Sequence, residues 1–158
     1  MLTHEQVGER IAAAVAVRDS GDRELARAQL DELWNEIGAD PIHRCVAAHH
    51  TADSQDDLHL ELSWDLCALE AANEITIEQR KANAALFSVD AFYPSLHLNL
   101  ARDYWRLGRA IDARQHLLEA IEWLRKTGDL PRMGPDTAYG RSLREDITQL
   151  ATDLDIPV

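Results

Sequence analysis

Apolar residues recur along this chain at intervals of three and four, the spacing of one face of an α-helix. Val7, Ile11, Ala14 and Val15 form the first such stripe. Thr3-x-x-Gln6 precedes it as a capping box, flanked by Leu2 and Val7 at the staple positions. Asp19-Ser20-Gly21-Asp22 interrupts the pattern. It resumes with Leu25, Ala26, Leu30, Leu33, Trp34 and Ile37, and Gly38 stops it. Asp40-Pro41 opens a third helix through Ile42, Cys45, Val46, Ala48 and His49, ending near Asp53. Asp56-Asp57 starts a fourth, with Leu58, Leu62, Leu66 and Leu69. Thr76-x-x-Gln79 is a second capping box and predicts a helix over 77–88. Pro94 is read as the start of a sixth helix. Arg109 to Lys126 forms a seventh, with Ile111, Leu117, Ile121 and Leu124 on one side. Asp136 is the expected N-cap of an eighth, striped by Tyr139, Leu143, Ile147, Leu150 and Leu154. No run of Val, Ile or Thr alternates with polar residues, so the pattern predicts an all-α chain of eight helices.

The stripes also repeat on a longer scale. Ala14 and Ala48 are 34 residues apart, and Ala101 follows after one such period lengthened by 19. In that register the turn holds Gly21, Gln55 and Gly108. The next helix then carries Ala26, Leu60 and Ala113, followed by Leu30, Trp64 and Leu117, and by Leu33, Cys67 and Ala120. This 34-residue helix–turn–helix period resembles the tetratricopeptide repeat family. Its signature is fullest in the third unit, at Leu100, Ala101, Tyr104, Gly108, Ala113, Leu117 and Ala120. Taken whole, the chain also resembles small actinobacterial repeat proteins. The resemblance implies a single domain over 1–158, an αα-superhelix of about three hairpins at 3–38, 41–74 and 94–127. An inserted helix at 75–93 and a capping helix at 136–154 complete it. Small residues at Ala101 and Ala113 would let helices approach within about 8–10 Å. Trp34, Trp64 and Trp123 are expected to pack between helices rather than stack on a ligand.

Composition adds limits. The chain has 158 residues, 46% hydrophobic and 28% charged, enough apolar content to bury a core. Its formal net charge of −12 repels phosphate backbones and disfavours nucleic acid as a partner, while favouring a basic protein or peptide. Cys45 and Cys67 form no CxxC pair and are read as reduced thiols. The first residues lack a signal-peptide pattern, and the longest apolar run, residues 11–17, is too short to span a bilayer. A cytoplasmic location without membrane contact is therefore expected.

In proteins of the family resembled, ligands lie in the concave groove lined by the first helix of each hairpin. Carried onto this chain, that face includes Val15 and Arg18 in the first unit and His49 and Asp53 in the second. In the third it includes Asn99, Arg102, Trp105 and Arg106. Asn99, Arg102 and Arg106 share a helical face and suit a peptide backbone or carboxylate, with Trp105 as an apolar anchor. The competing role for the arginines is pairing with Asp53, Asp90 or Asp103. Cys45, His49 and Asp53, four residues apart, also make a weak metal-ligand ladder. Phosphate-binding, nucleophile-elbow and zinc-protease motifs are all missing, and Asp56-Asp57 with Glu61 suit a helix N-terminus. The expectation is a non-catalytic, cofactor-free scaffold for a peptide or protein segment. The alternative is a small-molecule or metal sensor in which 75–93 closes a pocket.

Overall fold

A computed structural model describes residues 1–158, and it is all-α. The helices are α1 His4–Asp19, α2 Arg23–Glu36, α3 Pro41–Asp53, α4 Leu58–Glu74, α5 Ile77–Ala82, α6 Val89–Arg106, α7 Ala110–Thr127 and α8 Ala138–Asp153. The chain divides into two compact units, Met1–Ile75 and Thr76–Val158, so the divide falls where the sequence departs from its 34-residue period.

The first unit holds α1 to α4. Thr3 caps α1 through the expected reciprocal box, and Asp22, Asp40 and Asp57 cap the next three helices, each cap contributing about 1 kcal/mol. Gly21 and Gly38 end two helices with φ of +105° and +67°, backbone angles that other residues resist. Val7, Ile11, Ala14, Leu30, Leu33, Ile37 and Ala47 form a core that joins α1, α2 and α3. The contacts give the helix directions. Arg10 of α1 meets Glu36 of α2, so that pair is antiparallel. His4 meets His43 and Arg18 meets Asp53, so α1 and α3 run parallel. Trp34 meets Trp64 edge-to-face at 4.9 Å, which places α2 alongside α4. Such a ring pair is worth about 0.5–1.5 kcal/mol beyond its buried area. Within this unit the first helix of the second hairpin, α3, thus lies parallel against α1, the first helix of the hairpin before it.

The second unit is one hairpin, α6 and α7, with α5 before it and α8 after. Its antiparallel helices are joined through Gly108, at φ +74°. Trp123 stacks on Tyr93 at 4.4 Å, His97 on His116 at 5.3 Å, and His116 on Tyr104 at 5.4 Å. Leu96, Leu100, Leu117 and Ala120 are fully buried beside them. Ser95 bonds Tyr139 and Arg102 pairs with Asp146, the same offset each time, so α8 runs parallel to α6.

Three boundaries differ from the sequence reading. The helix expected over 77–88 ends at Ala82, because α5 buries none of its residues and so has no apolar stripe to carry it further. Helix α6 begins at Val89, five residues before Pro94. Ser88 caps it, and Val89 and Tyr93 extend its buried stripe. Pro94 forfeits a single backbone bond there. Thr137, not Asp136, caps α8, its hydroxyl accepting from the Gly140 N–H.

Candidate functional site

In the first unit, the structure brings three of the groove candidates together. The Arg18 guanidinium lies 3.8 Å from the Asp53 carboxylate, and His49 Nε2 lies 3.8 Å from the same oxygen. His49 Nδ1 is also 3.9 Å from the buried Asp65 of α4. Burial and the Arg18 charge push the His49 imidazole down to about 4, and burial with the His49 ring does the same to His50. Both rings are therefore neutral near pH 7. Val15 packs against the α1–α3 core as a half-buried wall, not as a free anchor.

Cys45 does not join His49 and Asp53. Its thiol is fully buried, and burial raises it to about 12, so the thiolate needed for metal or nucleophile is suppressed. His50 takes its place in a group with His49 and Asp53. That group faces the Arg18 cation, an unfavourable neighbour for a metal ion. Asp56 is structural: it takes hydrogen bonds from Arg23 at 2.8 Å and Arg27 at 2.6 Å. The same arginines donate to the carbonyls of Asp53, Ser54 and Gln55 and so close the end of α3.

In the second unit, the predicted face of α6 is largely engaged by its own chain. Leu98 and Ser95 are buried, and Asn99 is half-buried. Arg102 binds Asp146 of α8 at 2.9 Å, a partner that lay outside the three acids considered from sequence. Trp105 and Arg106 remain at the surface, with Trp105 39% exposed.

The second unit's open surface lies elsewhere. The segment after α5 and the first turn of α6 face the loop between α7 and α8 across a cleft of about 540 Å³. Phe87, Phe92, Pro131, Met133 and Tyr139 supply its apolar walls, with Phe87 and Phe92 packed edge-to-face at 5.7 Å. An adjoining hollow of about 490 Å³ continues between Leu86 and Leu130, which are 67% and 39% exposed. Arg80, Lys81 and Arg132 line it. Arg80 pairs with Asp90 at 2.7 Å, whereas Lys81 and Arg132 carry no ion pair. An apolar trough edged by two uncommitted cations thus occurs in a chain of net charge −12.

The sequence reading allows the insertion to close a pocket but assigns no residue of 130–139 to its wall, and takes Tyr139 as part of the stripe of the eighth helix. The available signal is local: Leu86-Phe87 and Leu130-Pro131-x-Met133 put apolar residues where helical periodicity has stopped. Comparison of the chain with protein-family models, with curated proteins and with solved structures gives no match.

Proposed function

We propose that this chain is a non-catalytic binding module, built from tetratricopeptide-like hairpins. Its ligand is a protein segment that presents apolar side chains beside carboxylates. The cleft of the second unit carries this reading. Its volume matches a ligand site, its walls are aromatic and aliphatic, and its polar groups are few and cationic at the edge. Exposed Leu86 and Leu130 prolong it into a trough, which suits a chain segment better than a compact molecule. Burying Phe87 and Leu86 against a partner would supply the affinity, and Lys81 and Arg132 the orientation. The partner is locally acidic, against the basic partner that the net charge favours. Contact distances select for the charges at the rim, not for the sum over the chain.

Two further observations support a binding role over catalysis. Cys45, the chain's most buried thiol, is held in its unreactive form. The His49 and His50 imidazoles lie well below the range of a base working at neutral pH.

Peptide display against the full chain tests the proposal. Enriched sequences should combine Leu, Phe or Trp with nearby Asp or Glu. Phe87→Ala should weaken their binding at least about tenfold, and the pair Lys81→Glu with Arg132→Glu should weaken it further. All three residues lie at or near the surface, so helicity should persist. Enrichment without that signature, or binding unaffected by the variants, would overturn the assignment. The cleft's volume also supports a second reading, a small apolar anion. Saturable binding of a medium-chain carboxylate, abolished by the same variants while no peptide enriches, would select it.

A further inference from the structure

The weak metal-ligand ladder of Cys45, His49 and Asp53 does not assemble, but another set of donors in the first unit does. His4 lies in the first turn of α1, His43 in the first turn of α3, and Asp40 caps α3. Because α1 and α3 run parallel, their N-termini lie side by side. His43 Nε2 is 2.6 Å from His4 Nδ1, with the two rings edge-on at 4.5 Å. One donor atom from each of His4, Asp40 and His43 lies within 4.8 Å of the others.

A second observation is independent of this closeness. His43 is 5% exposed; its Nε2 meets His4, and its Nδ1, on the other side of the ring, is buried without a hydrogen-bond partner. A buried imidazole nitrogen without a partner destabilises the fold. A structural role in packing alone would be met more cheaply by an apolar ring. The nearest arginine in sequence, Arg44, donates to the Gly38 carbonyl at 3.1 Å and lies over the Trp34 ring at 4.4 Å.

We infer that His4, Asp40 and His43 form a binding site for a divalent transition-metal ion of the zinc class, clamping the start of α1 to the start of α3. Two imidazoles and a carboxylate suit such ions, whereas Ca²⁺ and Mg²⁺ require oxygen donors throughout. Metal–ligand bonds of about 2.0–2.2 Å require donor atoms roughly 3.3 Å apart. His4 and Asp40 are only half-buried, and their side chains can make that adjustment. Asp40 already spends Oδ1 on the N–H groups of Ile42 and His43, at 2.9 and 3.1 Å, which leaves its other oxygen for the ion. Three protein ligands leave a fourth position for water, so the ion is exchangeable rather than sealed in.

Titration of the full chain with Zn²⁺ by calorimetry, and with Co²⁺ by visible absorption, tests the site. One equivalent should bind. His4→Ala should weaken binding at least about tenfold, and Asp40→Asn should do likewise, the amide oxygen keeping the helix cap while the charge is lost. His4 lies at a half-exposed helix start, so His4→Ala should fold, as circular dichroism will show. His50→Gln should leave the affinity unchanged. Absence of saturable binding would overturn the inference. So would equal affinity in His4→Ala and Asp40→Asn to that of the unmodified chain, or loss of binding in His50→Gln, which would move the ion to the His49–His50–Asp53 group.

Discussion

Gly140 shows how a single residue shapes the candidate site. A Cβ at this position would stand 2.3 Å from the Gly134 carbonyl oxygen and 2.6 Å from that of Met133. Neither neighbour is a flexible side-chain tip; both are backbone of the loop that forms one wall of the cleft. Met133 is itself fully buried, and Arg144 donates to its carbonyl, so the loop has little room to retreat. Gly140→Ala should therefore lower stability by about 1–3 kcal/mol, the usual range for overpacking, and displace the 131–137 wall. Its Tm should fall, and ligands of the cleft should bind more weakly. Gly8 is the opposite case. It lies inside α1 with nothing within 4 Å of where a methyl group would sit, so Gly8→Ala should stabilise by about 0.5–1 kcal/mol through helix propensity alone. Thermal melts of both variants would check the contrast. Equal effects would show that the Gly140 contact is not what holds the loop.

At the scale of elements, the α6–α7 pair is joined by a run of stacked rings that contains two histidines. His97 and His116 approach at 3.0 Å through their Nδ1 atoms. Burial, aided by the His116 ring, pushes His97 down to about 4. Burial also lowers His116, although Asp112 and Glu119 pull it back up. In the unfolded chain both titrate near 6.5. Above that value neither state carries the proton and the stacking contributes in full. As pH falls below 6.5 the unfolded chain takes up protons that folded His97 refuses, so stability declines until about pH 4. His97→Phe keeps a stacked ring and removes one proton from this linkage. It should flatten the slope of stability between pH 6 and 4.5 by about 1.4 kcal/mol per pH unit at most. Denaturant melts across that window would measure the change, and an unaltered slope would refute it. Much of this element architecture is legible in the sequence. Gly108, Thr3 and the spacing of Ala14 from Ala48 each encode a local rule that tertiary contacts then reuse. The start of α6 is not legible, because proline signals a first turn while the buried stripe of Val89 and Tyr93 decides the matter. The cleft is hidden for a related reason. Its walls come from segments at 86–92 and 130–139, largely outside helical periodicity, and tertiary contacts, the close approach at Gly140 and the Arg144 bond to the Met133 carbonyl among them, hold the later one in its place.

The whole molecule sets an electrostatic condition on any ligand of the cleft. Lys81 and Arg132 attract carboxylates at contact distance, but the chain's net charge of −12 repels the same anion from afar. The two effects have different ranges. At 0.01 M salt the screening length is about 30 Å, so an approaching acidic segment meets nearly the entire negative field. At 0.15 M it is about 8 Å, and only charges near the rim act on the ligand. Raising salt between these limits should thus remove repulsion faster than it weakens the direct pairs. For an acidic, apolar peptide, the association rate should rise over this interval, opposite to the fall seen when partners carry opposite net charge. Beyond about 0.3 M the direct pairs are screened as well, and affinity should decline towards the part supplied by Phe87 and Leu86. The pair Lys81→Glu with Arg132→Glu removes the attractive component, so its association should be slower at every salt concentration and should rise monotonically. Stopped-flow measurements on the intact chain would separate the cases. A rate that falls from the lowest salt onward in the unmodified protein would mean that the ligand feels the rim before the molecule, and would refute the long-range repulsion.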